Sequence, residues 1–167
     1  MFCTIAEFEK AWKFESESTL KLLGALTDAS LSQAVTPADR TLGRIAWHIT
    51  TSIPEMMQRT GLKLAGPEPA APVPSTSQEI SSAYETSSRS LLEQIRERWS
   101  DASLDIEDEM YGEHWKRGYT VTVLLNHQTH HRGQLTVLMR QAGLRVPGVY
   151  GPAREEWSAF GMEPPSV

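Results

Sequence analysis

One cysteine, Cys3, is all the thiol that 167 residues carry, so no disulfide can close within the chain. Such sparing use fits a reducing compartment, and the expectation is a cytoplasmic protein. Long apolar runs are missing too. No stretch approaches the roughly 18 residues that a membrane-spanning helix needs, and the opening MFCTIAEFEKAW lacks a basic-then-apolar leader. No membrane partner is expected. Basic residues are outnumbered, 16 against 21 acidic for a net charge of −5, and form no block that could track phosphates. Nucleic acid is therefore not an expected partner either. Sustained apolar–polar alternation, the mark of half-buried strands, is absent throughout.

What the sequence does have is helical periodicity, in four segments near 4–26, 41–60, 77–100 and 119–142. The first carries Ile5, Phe8, Trp12, Glu15, Thr19, Leu22, Leu23 and Leu26 on one face. The second carries Leu42, Ile45, Ala46, Ile49, Ile53, Met56 and Met57, with Pro54 inside it as an expected kink. GPEPAAPVPS, with four prolines in ten residues, then reads as a long crossing loop. Thr76 and Glu79 offer a capping box ahead of the third stripe, Ile80, Tyr84, Ser87, Ser88, Leu91, Leu92, Ile95 and Trp99. The span 101–118 reads as irregular and acidic, and the tail after Gly143 as turn-rich, with a short helix expected at 153–160. Together these predict a single all-α domain over 1–167, an antiparallel four-helix bundle with a Pro-rich crossover and an irregular C-terminal tail.

Three of the five histidines fall in NHQTHHRGQL, Asn126–Leu135. With Leu124 set to zero and about 100° per residue, His131 falls near −20° and His127 near −60°, inside the apolar stripe. His130, near −120°, is lateral. Imidazoles at i and i+4 can converge on one ion. They can equally be two hydrogen-bonded core histidines, and spacing leaves both readings open. His48 lies at the edge of its stripe, a boundary position, while His114 falls in the acidic stretch and is expected in solvent. Neither a His-Glu-x-x-His nor a Glu-x-x-His motif occurs. Glu15, Thr19, Ser87 and Ser88 break two of the apolar stripes at mid-helix, which suggests a pocket for a small substrate at the depth of the histidines.

RTLGRIAWHI (40–49) and LLNHQTHHRGQLTVLMRQAGLRVP (124–147) resemble the DinB or YfiT-like metal-binding four-helix bundles. His48, His127 and His131 match that family's histidines, and Arg132, Gly133 and Gln134 complete its motif. The resemblance implies a divalent ion, nickel or zinc, held by His48, His127 and His131, with open positions for water or substrate. It further implies a homodimer, for which Gly133 and Trp47, both off their own stripes, are candidate partner-facing residues. Relatives include S-transferases using a low-molecular-weight thiol, a thiol-dependent isomerase and hydrolases. The activity so implied is metal-dependent thiol transfer to a small electrophile. Metal-dependent hydrolysis and a non-catalytic stress-response role are the alternatives. Gln134 and Glu15 are the candidates to orient substrate or accept a proton.

Overall fold

The computed structural model describes residues 1–166. Its four long helices are α1 (Ile5–Leu23), α2 (Leu42–Gln58), α3 (Ser77–Arg98) and α4 (Arg117–Gln141). Each boundary has a local cause. Thr4 closes a full capping box on α1: its hydroxyl accepts from the Glu7 N–H, and the Glu7 carboxylate accepts from the Thr4 N–H. Thr76 forms only half of the expected box. It accepts from the Glu79 N–H, but its own hydroxyl donates to the Glu79 carboxylate at 2.7 Å.

The helices form two antiparallel pairs. Arg96 reaches Glu9, and the Trp12 indole donates to the Ser88 carbonyl, which sets α1 against α3. Contacts of His48 with His127 and of Gln128 with Ile49 and Ser52 set α2 against α4. Because α2 and α3 run in the same direction, the chain must return the length of the bundle between them. The Pro-rich segment does so, pinned by the Ala65 N–H on Ser90 Oγ (2.8 Å) and by the Trp47 indole N–H on the Ala71 carbonyl (2.8 Å). Trp47, read as partner-facing, is therefore buried beneath the crossover of its own chain. The wheel placed it off the helix stripe correctly; it could not show that a loop would cover that face. The core between the pairs is closed by Phe8, Trp12, Leu22, Ile49, Ile53, Ile80, Tyr84, Leu91 and Ile95, all fully buried.

The span 101–118 is more ordered than the sequence suggests. A short 3-10 turn (Asp101–Asp105) leads into an antiparallel hairpin of β1 (Glu107–Met110) and β2 (Glu113–Lys116). Four-residue strands are too short for alternation to register, and Glu107, Asp108 and Glu109 are poor strand formers. The turn is made by Tyr111 and Gly112, both at positive φ (57° and 87°), as a two-residue hairpin requires. Tyr111 accepts this unfavourable backbone while its hydroxyl donates to Glu55 (2.6 Å) and the Arg59 guanidinium sits 4.4 Å from its ring centroid. At the other end of the chain, the helix expected at 153–160 reduces to a 3-10 turn at Trp157–Phe160.

Candidate metal centre

His48 enters from α2, and His127 and His131 enter from successive turns of α4. Antiparallel packing brings them to one depth. The Nε2 atom of His127 lies 3.1 Å from that of His48 and 3.1 Å from that of His131, and donor atoms of all three lie within 4.8 Å of one another. Adjacent ligands about 2.1 Å from one ion stand roughly 3 Å apart, so the donor set fits a divalent metal. Three imidazole nitrogens converging this closely form a donor set that one ion can bridge.

The charge state suits the same purpose. Burial, then the positive charge of His131, Arg40 and Arg44, pushes the His48 pKa down to about 4. Burial, then the neighbouring histidines and Arg40, does the same for His127, also to about 4. His131 is lowered as well, chiefly by burial, with its Gln134 hydrogen bond acting in the opposite direction. All three are neutral at pH 7 and free to donate electron pairs.

The tautomer of His131 follows from its partner. Its Nδ1 lies 2.7 Å from Gln134 Oε1, an acceptor, so Nδ1 carries the proton and Nε2 faces the cluster. The Gln134 amide in turn donates to His130 Nε2 (3.3 Å), which orients it. Gln134 thus orients a histidine of the cluster. His130 and His114 are exposed and lie outside the three-histidine group. The Nδ1 of His127 is buried without a hydrogen-bond partner among the described residues.

Two cavities meet the histidines from opposite sides. One, of about 530 Å³, is lined by His131, Gln134 and Arg40 with Val35, Val137 and Leu138. The other, of about 420 Å³, is lined by His48, His127, Arg44, Thr51, Glu55 and Tyr111. Both open between α2 and α4. Among the described residues, the place expected as a pocket at Glu15, Thr19, Ser87 and Ser88 is taken by a side chain. Arg132 fills that break, its guanidinium donating to the Glu15 carbonyl (2.6 Å), the Glu15 carboxylate and Thr19 Oγ1 (3.2 Å). Tyr150 from the tail donates to the other Glu15 oxygen at 2.5 Å. Ser87 and Ser88 are small for packing: Gly66 of the crossover lies against Ser87, and the Ser88 carbonyl receives the Trp12 indole. Glu15 is committed to Arg132 and Tyr150, which leaves Gln134 as the sequence candidate that touches a histidine of the cluster.

One residue beside the cluster escaped sequence reading, and a second, Arg132, was named there only as part of a motif, without its role. Gln128 is fully buried and donates to the Ile49 carbonyl (3.0 Å) and Ser52 Oγ (3.3 Å), locking α4 to α2 beside His48. A position of about +40° on the α4 wheel marked it as an amide inside the stripe. Arg132, at about +80°, is the buried counter-charge to Glu15; opposite charges in two facing stripes were the available signal.

The profile of the DinB family matches residues 1–165. The chain belongs to the DinB family. A curated relative, the uncharacterized protein YrdA of Bacillus subtilis, is 44% identical over 167 residues, covering 100% of both chains. Among solved structures, a DinB-like protein from Bacillus cereus is 45% identical with a TM-score of 0.87, covering 90% of this chain and 100% of its own. A second, the DinB-like protein YjoA of Bacillus subtilis, shares 18% identity with a TM-score of 0.66 over 86% of this chain and 96% of its own, and so speaks to the fold alone. The helical bundle expected from the sequence is thus the family's fold. Among the described residues, no helix is long and apolar enough to cross a membrane.

Proposed function

We propose that this DinB family member is a metal-dependent enzyme that transfers a low-molecular-weight thiol to a small electrophile. His48, His127 and His131 would hold the ion. The observation that carries this reading is the convergence of three neutral imidazoles between two separate cavities. One cavity suffices for a hydrolase; two meeting at one centre suit two substrates, which favours transfer over hydrolysis. Imidazole donors suit nickel or zinc. An ion bound there lowers the pKa of a thiol or water at an open position towards neutrality.

The chain's own residues supply the rest. Gln134 holds the proton of His131 on Nδ1 and so keeps Nε2 aimed at the centre. The depressed imidazole pKa values prevent protonation from emptying the site near neutral pH. Val35, Val137 and Leu138 offer an apolar wall for the body of the electrophile. A homodimer and a cytoplasmic location belong to the same proposal. Gly133 is exposed on α4 with no atom within 4 Å of the position a side chain would take, so close backbone approach is sterically open.

The test is elemental analysis of the purified chain, followed by assays of thiols against electrophiles with each ion. About one divalent ion per chain is expected, and His127→Ala should lose it. Metal retained at wild-type level in His127→Ala would show that the ligand set is wrong. A bound ion with no exchangeable coordination position would mark a structural metal and end the catalytic reading.

A further inference from the structure

The cavity that holds His48 and His127 also holds two groups of opposite charge, Arg44 and Glu55, and their circumstances differ. Glu55 is already neutralised. One of its oxygens accepts from Arg59 Nε (3.2 Å) and Nη2 (3.1 Å), and the other from the Tyr111 hydroxyl (2.6 Å). Arg44 takes part in no ion pair among the described residues. Its backbone N–H is spent on the Thr41 cap, while its exposed side chain lines the cavity and makes no side-chain hydrogen bond among the described residues. Thr51 and Ser52, also on this wall, turn their hydroxyls back onto the carbonyls of Trp47 and Ile49. Arg44 is therefore the charged group of this cavity without a partner of its own.

Position adds to the charge. Arg44 and His48 are four residues apart on α2, so they share a face and their Cβ atoms stand roughly 5–6 Å apart. A ligand held at Arg44 lies one helical turn from an imidazole of the cluster. Arg40 lines the neighbouring cavity together with Asp39, so the unopposed positive charge lies on the Arg44 side. From this we infer that Arg44 binds the carboxylate of a small organic acid, holding it in the His48–His127 cavity with its second functional group directed at the histidine centre. A single guanidinium matches the single charge and planar fork of a carboxylate. Cavity size, about 420 Å³, accommodates such an acid with room to spare. This inference rests on the proposed function for the identity of the second group, a thiol, and so makes the thiol substrate an anionic one.

The probes are 3-mercaptopropionate and its uncharged counterpart 3-mercaptopropionamide, which differ only in the group that Arg44 would meet. Affinities would be measured by calorimetry on the zinc-loaded full chain and by amide chemical shifts on the metal-free chain. The expected result is binding of the acid about tenfold tighter than the amide in both forms. Arg44→Gln should abolish that preference with zinc content unchanged, and Arg44→Lys should restore part of it. Equal affinity for acid and amide, or a preference that survives Arg44→Gln, overturns the inference. The metal-free arm separates the two readings. Arg44-dependent preference there, in a chain that takes up no zinc, sustains the carboxylate site while the metal reading fails. Stoichiometric zinc without charge preference sustains the metal and removes the carboxylate site.

Discussion

Truncating Glu15 should be among the most damaging single changes to this protein, although Glu15 lies outside the cluster of histidines. Its side chain is 8% exposed and that of its partner Arg132 is 3% exposed, so solvent screens neither charge effectively. Glu15→Ala leaves the guanidinium buried with neutral acceptors only: the residue-15 carbonyl, Thr19, Thr129 and Tyr150. An uncompensated buried charge of this kind costs about 3–5 kcal/mol. That is a large share of the roughly 5–15 kcal/mol that stabilises a typical domain. Arg132→Met should cost less, because Tyr150 and Thr129 still donate to the carboxylate it abandons. Replacing both as Glu15→Ala with Arg132→Met removes two desolvation costs together and should lose far less than the sum of the single changes. Urea denaturation followed by circular dichroism measures all four corners of the cycle, provided the slope with denaturant stays constant. A loss below about 1 kcal/mol for Glu15→Ala, with an additive double variant, would refute the account and return Glu15 to candidacy as a chemical group.

Acid should destabilise the metal-free protein through the histidine centre. Its imidazoles stay neutral in the fold down to about pH 4 for His48 and His127, whereas an unfolded chain protonates near the ordinary value of 6.5. The unfolded state then binds more protons between those limits, so stability is intact above about pH 6.5 and falls as pH drops towards 4; a flat melting temperature across that window counts against the buried neutral cluster. Gln134→Leu removes the acceptor for His131 Nδ1–H and should weaken zinc affinity by about 10–100-fold in a chelator competition, leaving its stoichiometry unchanged. Gly66→Ala should cost about 1–3 kcal/mol by thermal denaturation, since φ is +149° there and a Cβ would stand 2.2 Å from Ser87 Oγ. Ser87→Ala in the same chain should recover part of that loss, and an undiminished loss would place the whole effect in the backbone.

Much of the architecture was legible because it rests on local rules. Residues 3.6 to a turn with apolar side chains at i, i+3 and i+4 can bury them only as helices, and four such segments of similar length leave a bundle as the simple solution. The same wheel put His127 and His131 inside α4 and His130 to its side, as the structure has them. His48 was different. By its own helix it was a boundary residue, and only the family resemblance joined it to the other two, because convergence depends on how α2 and α4 are staggered. Stagger is set by contacts such as Gln128 on the Ile49 carbonyl, which no single-helix pattern contains. The supposed polar cavity failed for the same reason: Glu15, Thr19, Ser87 and Ser88 looked like a vacancy until Arg132 arrived from a third helix to occupy it. Sequence by itself determined the helices, their inward faces and the paired imidazoles of α4, since these follow from periodicity along one chain segment. Tertiary structure alone decided which helix met which, where the open space lay, and that Arg44 would face it unpaired, because charges and cavities exist only between segments that packing has brought together.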